Sequence, residues 1–455
     1  MPDILSLLQC LLPQINATNM RQFNQIILAM LAMSGRVTML GISRWAGTGG
    51  SYRTMLRFFH TVIPWATLFW LFFRKHLFRA NEVYLLAGDE VVVSKSGKKT
   101  YGLDRFFSSL ASKPILGLSF FTLSLVSVEQ RHSFPIRIEQ VIKSDVEKSS
   151  LSSTLEIKPL EKRKRGRPKG SKNKNKTEVI LTSELLRIKK MINEQVLLIA
   201  NFIPLTYLVL DGHFGNNNAL QMARLVNLHI ISKLRHDSAL YIPYQHPDSN
   251  KRSRRKYGDK IDYCNIPDKY LCKSSMEDEV QTDVYQCTLL HKEFAQALNV
   301  VILVKTNLKT NASSHVILFS SDLTLSCEKI IDYYKLRFQI EFNFRDAKQF
   351  WGLEDFMNLS QTAVTNASNL AFFMVNLSHH LLADFQQLNP GSGIIDLKAY
   401  HRGFRYVREM LKMLPEIPEP ILLTQIFAKL TALGRIHPVS TGVKPSPCQN
   451  GKIVR

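Results

Sequence analysis

"YYKLRFQIEFNFRDAKQFWGL", residues 333–353, has helical spacing, and its polar residues fall unevenly around the wheel. Tyr334, Arg337, Glu341 and Lys348 are separated by steps of three, four and seven. At roughly 100° per residue those steps gather all four into an arc of about 60°. An Arg–Glu pair four apart ordinarily decorates an exposed helix for a few tenths of a kcal/mol. Here Phe338, Ile340, Phe342, Phe344 and Phe350 surround the strip. The stretch therefore predicts one helix with a polar strip set into a mostly buried body, where functional ionisable groups tend to sit.

Upstream, the texture is that of an α/β core. "VYLLAGDEVVV" (83–93) reads as a buried strand ending near Asp89, and "LTYLVLDGHF" (205–214) as another that stops at Asp211. "ILGLSFFTLSLVSV" (115–128), "SFPIRIEQVI" (133–142) and "LHIISKL" (228–234) add strands, and "NNNALQMARLVN" reads as a helix between two of them. "NVVILVKT" (299–306) and "HVILFSSD" (315–322) form a hairpin-like pair leading into the opening helix. Strands alternating with helices imply a layered α/β fold.

The flanks differ from this core. Residues 1–80 read as helical; "SGRVTMLGISRWAGTGGSYRTMLRFFH" (34–60) holds two helical pieces around "GTGG", with Ser51 as N-cap of the second. That second piece bears Arg53 and Arg57, which fit DNA contacts of a helix-turn-helix, although a plain helical hairpin has the same pattern. Residues 236–299, rich in Tyr, Asp and Lys, read as a β-rich insertion, and 386–455 as one or two further helices with a basic tail.

The chain carries 59 Lys+Arg against 37 Asp+Glu, a formal net charge of +22 over 455 residues. Such an excess implies a polyanionic partner, nucleic acid before an anionic membrane surface. No run is long enough to span a bilayer: "TVIPWATLFWLFF" (61–73) is short and contains Pro64, and "NLAFFMVNLSHHLLADF" (369–385) reads as a core helix. The N-terminus lacks the features of a secretory signal. Six scattered cysteines without a C-x-x-C suggest reduced thiols of a cytosolic protein and no zinc site.

"KRKRGRPKGSKNKNK" (162–176) holds nine basic residues and no acid, so it is expected to form a disordered loop within about 143–178. Its Arg165-Gly166-Arg167-Pro168 core suits a narrow A·T minor groove, where an extended Arg-Gly-Arg meets enhanced negative potential. A flexible polycation touching phosphates without preference is the plainer reading.

Asp89, Asp211 and Glu341 converging on one point would repel one another unless they held cations. Oxygen-only ligands favour Mg²⁺ or Mn²⁺. Two such ions about 4 Å apart can activate an attacking oxygen and stabilise a leaving one on a phosphodiester. Arg337 and Lys348 would then meet phosphates, and Tyr334 could stack or hydrogen-bond beside them.

The spacing Y-two-R-three-E-six-K, read as Tyr334, Arg337, Glu341 and Lys348, resembles the signature of DDE transposases of the insertion sequence 4 family. "GDEVVVSKSGK" (88–98) resembles the segment of the first aspartate and "VLDGHFGN" (209–216) that of the second. The resemblance covers about 85–390 and implies an RNase H-like core, at 81–235 and 300–385, with the β insertion before the glutamate. It implies a DNA-binding role for residues 1–80 by position. It further implies cut-and-paste transposition through 3′-OH nicking and strand transfer, with double-stranded DNA (terminal inverted repeats and target) as partner. A synaptic homodimer and often a hairpin at the released end come with it. Glu90, where many relatives carry a small or polar residue, and the basic loop between the aspartates are departures. Other readings are a transposase-derived DNA-binding protein without activity, and a metal-dependent nuclease that cleaves without joining. A cytoplasmic, nucleoid-associated place follows from the transposase reading.

Overall fold

The computed structural model describes residues 3–108, 111–143, 175–200, 202–245, 255–416 and 418–437. The basic tract with Arg165, Gly166, Arg167 and Pro168 lies outside the described residues, as does Cys448. The chain forms two compact units, one of residues 65–73 and 78–345, the other of residues 1–64, 74–77 and 346–455.

In the unit of residues 1–64, 74–77 and 346–455, helices precede and follow the sheet in sequence, and the first of them come before it. They are α1 (Ile4–Leu8), α2 (Ala17–Ala32), α3 (Met39–Ala46) and α4 (Tyr52–Phe59). Local chemistry sets their starts: Asn16 accepts the amide of Asn19 at 2.8 Å, and Ser51 accepts that of Thr54 at 3.3 Å. Arg53 and Arg57 lie exposed on α4.

The sheet-bearing unit opens with α5 (Trp65–Phe72), followed by β1 (Tyr84–Ser94), β2 (Asp104–Ser108), β3 (Lys113–Ser127) and β4 (His132–Val141). Then come α6 (Ser183–Ile199), β5 (Tyr207–Val209), α7 (Asn217–Leu225) and β6 (His229–Lys233). The remaining strands are β7 (Leu240–Pro243), β8 (Tyr257–Lys260), β9 (Leu271–Glu277), β10 (Val280–His291), β11 (Leu298–Asn307) and β12 (Ser313–Ser320). Among the described residues these twelve strands make one mixed sheet, in the order β2-β3-β1-β5-β6-β12-β11-β10-β7-β8, with β4 on β3 and β9 on β10. β1, β3 and β4 are antiparallel, whereas β5 and β6 run parallel to β1. That is an RNase H-like arrangement, flanked by helices.

Position in the sheet explains the sequence texture. β3 pairs with β1, β2 and β4, and its last eleven residues are all buried, which gives a mostly apolar run with only small hydroxyl residues (Ser119, Thr122, Ser124 and Ser127) among them. The expected strand end at Asp89 is corrected: β1 continues to Ser94, paired antiparallel with Gly117. What stops near Asp89 is its parallel neighbour β5.

Two helices leave the sheet after β12. These are α8 (Cys327–Leu336) and α9 (Gln339–Gln349). The helical unit then resumes with α10 (Gln361–Leu388), α11 (Ile394–Leu411) and α12 (Pro420–Ala432). Along α10 every residue from Asn366 to Ser378 is buried. A helix buried all round loses the one-sided apolar stripe, and its buried Asn366 is held by the carbonyls of Phe59 at 2.8 Å and Thr61 at 2.7 Å. Among the described residues no helix is long and apolar enough to cross a membrane. The described cysteines, Cys10, Cys264, Cys272, Cys287 and Cys327, are free.

Candidate active site

Two parallel strands bring the aspartates side by side. β1 and β5 pair at Leu86↔Leu208 and Ala87↔Val209. Asp89 and Asp211 each stand two residues beyond the last pair, so they occupy equivalent positions where β5 ends. The amide of Leu210 still donates to Ile231 on β6 at 3.1 Å, and the Ser232 hydroxyl donates to the Asp211 carbonyl at 2.6 Å. Gly215 fixes the turn that follows. A Cβ there would stand 2.1 Å from the Lys233 carbonyl oxygen, so only glycine allows this loop to lie against β6.

The third element differs from its sequence reading. Residues 333–353 do not form one helix: α8 ends at Leu336, and α9 begins at Gln339. Between them the backbone tightens, with the amides of Phe338, Ile340 and Glu341 each donating to the carbonyl three residues back at 3.0–3.1 Å. Tyr334 therefore lies in the last turn of α8, Arg337 is its C-cap, and Glu341 lies in the first turn of α9.

The expected buried body is also corrected. Ile340, Asn343, Phe344 and Ala347 form the buried face, and the Asn343 amide donates to Ser133 at 2.9 Å. Phe338 and Phe342 are 49% and 37% exposed, and Phe350 is half-buried. Offsets of three, four and seven assign the inner face to the first set and leave the others outside.

Arg337 joins the carboxylates. Its guanidinium forms a short ion pair with Asp89 and lies 3.9 Å from Glu341, and it sits 6.0 Å from the Tyr334 ring centre. Both Arg337 and Asp89 are mostly buried. Burial pushes the Asp89 carboxyl up to about 6; Arg337 and the Glu90 amide, donating at 2.8 Å, pull it down, while Asp211 and Glu341 push it up again. Burial also raises the Tyr334 phenol, against the pull of Arg337.

Tyr334, Arg337 and Asp211 line an open cleft of about 480 Å³ together with Lys233, Arg235 and His315. The last three were missed in the sequence. Lys233 and Arg235 had a usable signal, since they follow the parallel strand next to β5 at the sheet end where ligands bind. His315 reaches the cleft only through the β12–β6 pairing. His213 also lines it, and its 3.3 Å contact with Glu184 raises the imidazole above its ordinary value, against burial. Glu90, the departure from the expected pattern, accepts the hydroxyl of Ser119. Lys348 belongs to the helical unit, where its ammonium pairs with Glu354 at 3.2 Å.

The donor chemistry suits a hard divalent cation. All three carboxylates offer oxygen, and Asp211 Oδ1 is buried without a hydrogen-bond partner. Among the described residues, however, no group of three or more His, Cys, Asp or Glu side chains is arranged as a ready metal cage. A guanidinium bridges two of the carboxylates instead.

The RNase H-like sheet thus carries two aspartates at equivalent positions on adjacent parallel strands, and Arg337 links one of them to a glutamate of a following helix. Residues 10–294 match the family described as DDE superfamily endonuclease, and the chain belongs to that family. The matched span carries Asp89 and Asp211, and Glu341 lies beyond it. Membership makes this a protein of transposase or nuclease type with DNA as its substrate class. No curated protein matches the chain.

Proposed function

We propose that this chain is a cut-and-paste transposase of the insertion sequence 4 type. The observation that carries the reading is the alignment of Asp89 with Asp211 across β1 and β5, with Arg337 tying Asp89 to Glu341. Asp89, Asp211 and Glu341 would hold two Mg²⁺ or Mn²⁺ ions, which supply activation of the attacking oxygen and charge stabilisation on the phosphodiester. The protein's own part is electrostatic and positional. The aspartates and glutamate set the point of attack, and no side chain need act as nucleophile.

Arg337, with Lys233 and Arg235 across the cleft, offers cations to the phosphates flanking that point. Tyr334 borders the same space, and Lys348 would engage DNA further along α9. Arg53 and Arg57 on α4, and Arg165, Gly166, Arg167 and Pro168 in the basic tract, would add further DNA contacts. A homodimer would pair the two element ends. The protein would work in the cytoplasm, at the nucleoid.

The test uses a labelled duplex carrying the element end with Mg²⁺. The wild type should nick and then join the freed 3′-OH to target DNA. Asp89→Asn, Asp211→Asn and Glu341→Gln should each lose cleavage by several orders of magnitude while still binding the duplex, because affinity comes mainly from basic residues. Wild-type cleavage by any of these variants removes that residue from the centre. Cleavage without joining of pre-nicked ends makes the protein a nuclease.

A further inference from the structure

β9 (Leu271–Glu277) is an open edge of the sheet. Among the described residues it pairs with β10 alone, and all seven of its residues are exposed. An unpaired strand edge is a row of amides and carbonyls that templates another strand. The hairpin fixes which of them point outward. Asp278 and Glu279 form its two-residue turn, with φ of 46° and 63°, and Glu277 faces Val280 across it. A turn of that kind closes on a pair that exchanges both hydrogen bonds, and the pattern alternates from there. The register is regular from Glu277 to Lys273, and the irregularity comes only beyond it, between Val284 and Tyr285 of β10. Glu277, Ser275 and Lys273 therefore bond inward to β10, while Ser274 and Met276 turn their amides and carbonyls outward.

We propose that β9 is a self-pairing edge, through which two copies of this chain join antiparallel about a two-fold axis at Ser275. In that register Ser274 of each copy meets Met276 of the other and exchanges both hydrogen bonds, so the outward groups are satisfied. Lys273 of each copy stands opposite Glu277 of the other, at the non-hydrogen-bonded positions where side chains come closest. The next in-phase register, centred on Ser274, sets Glu277 opposite Leu271 and forfeits both charge pairs. A lysine on an edge strand ordinarily blocks pairing; here Glu277 answers it, and the two-fold repeats the answer. Charge also decides against DNA as the occupant. Residues 271–283 carry one base, Lys273, against four acids, Glu277, Asp278, Glu279 and Asp283. That balance is the reverse of the whole chain's and repels phosphate. The contact gives the homodimer of the transposase reading a surface, but it does not depend on that reading.

The test follows the full chain without DNA by analytical ultracentrifugation. The wild type should dimerise reversibly. Lys273→Glu and Glu277→Lys each set like charges opposite one another at both ends of the contact, and each should weaken the dimer about tenfold. The double variant Lys273→Glu/Glu277→Lys restores both pairs in reverse and should return to within about threefold of wild type. Met276→Pro removes an outward amide without touching the ladder to β10, and should also weaken the dimer. Ser275→Cys, with Cys264→Ser, Cys272→Ser and Cys448→Ser, should cross-link two copies on mild oxidation, because opposed non-hydrogen-bonded residues lie about 4.5 Å apart at Cα. Ser274→Cys in the same background should not. A monomeric wild type, a dimer indifferent to both single charge changes, or a double variant no tighter than the singles overturns the proposal. Equal cross-linking at 274 and 275 overturns the register on which it stands. Circular dichroism checks folding, and if the charge variants do not fold, the cross-linking decides with both charges intact. Weaker duplex binding by a monomeric Lys273→Glu protein overturns self-pairing in favour of a DNA contact. Cleavage of DNA by a chain that never dimerises would sink this contact while leaving the DNA-processing reading intact.

Discussion

Replacing Arg337 with alanine should make the centre bind divalent cations more tightly while weakening DNA cleavage. In the structure Arg337 is the counter-ion of Asp89 and is only 14% exposed against 20% for its partner. Any cation taken up by Asp89 competes with that guanidinium. A net hydrogen bond to a charged group is worth about 1.5–3 kcal/mol, so removing the competitor should tighten Mn²⁺ binding about tenfold to a hundredfold. The same change leaves Asp89 and Glu341 without their shared cation. Breaking a buried pair from one side costs about 3–5 kcal/mol, with the lower end expected here because the Glu90 amide still donates to Asp89. Tm without added metal should therefore fall by several degrees, and saturating Mn²⁺ should restore most of the loss. Electron paramagnetic resonance of free Mn²⁺ gives the affinity, and scanning calorimetry gives Tm. Arg337→Lys should fall between wild type and alanine, since a point charge replaces a fork. A folded Arg337→Ala protein that binds Mn²⁺ no more tightly than wild type would refute the competition, and unimpaired cleavage would refute a role at phosphate.

Three further outcomes are expected. Asp396 is 1% exposed; burial raises its carboxyl, but the amides of Gly393, Ile436 and His437 and the His437 ring outweigh it and hold the group at about 2. Because its folded value is depressed, the stabilisation of about 2 kcal/mol is present above pH 4 and lost as pH falls through about 2. Asp396→Asn should therefore destabilise near neutrality and match wild type near pH 2 in urea melts. Asn366→Ala leaves the carbonyls of Phe59 and Thr61 without their buried donor, so denaturant melts should show a loss of about 1–3 kcal/mol. Deleting residues 162–176 removes nine positive charges and should make the slope of log affinity against log salt shallower. Arg165→Lys with Arg167→Lys keeps the charge and should reduce preference for A·T-rich duplex alone if the tract reads the minor groove.

Much of the core was legible in the sequence because its signals are local. Apolar runs marked β1, β3, β5 and β6, and Ser51 marked the start of α4, since strand burial and capping depend on neighbours a few residues away. The acids were visible for a related reason. An aspartate closing an apolar run, or an Arg–Glu pair at helical spacing, can be seen without knowing what lies opposite. The sequence by itself thus determined the α/β class, the net positive charge and the candidates Asp89, Asp211 and Glu341.

Tertiary structure alone decided how they meet. The bond from Arg337 to Asp89 spans 248 residues, and no local pattern carries a contact of that range. The parallel register that sets Asp89 level with Asp211 comes from pairing between β1 and β5. The same pairing network brings Lys233 and His315 to the cleft. The split of residues 333–353 into α8 and α9 also escaped the periodicity, because the two helices meet in a tight turn whose dihedrals stay helical at Arg337. A wheel drawn through that turn counts residues correctly but misplaces their directions, and packing determines which rings are buried and which two face solvent.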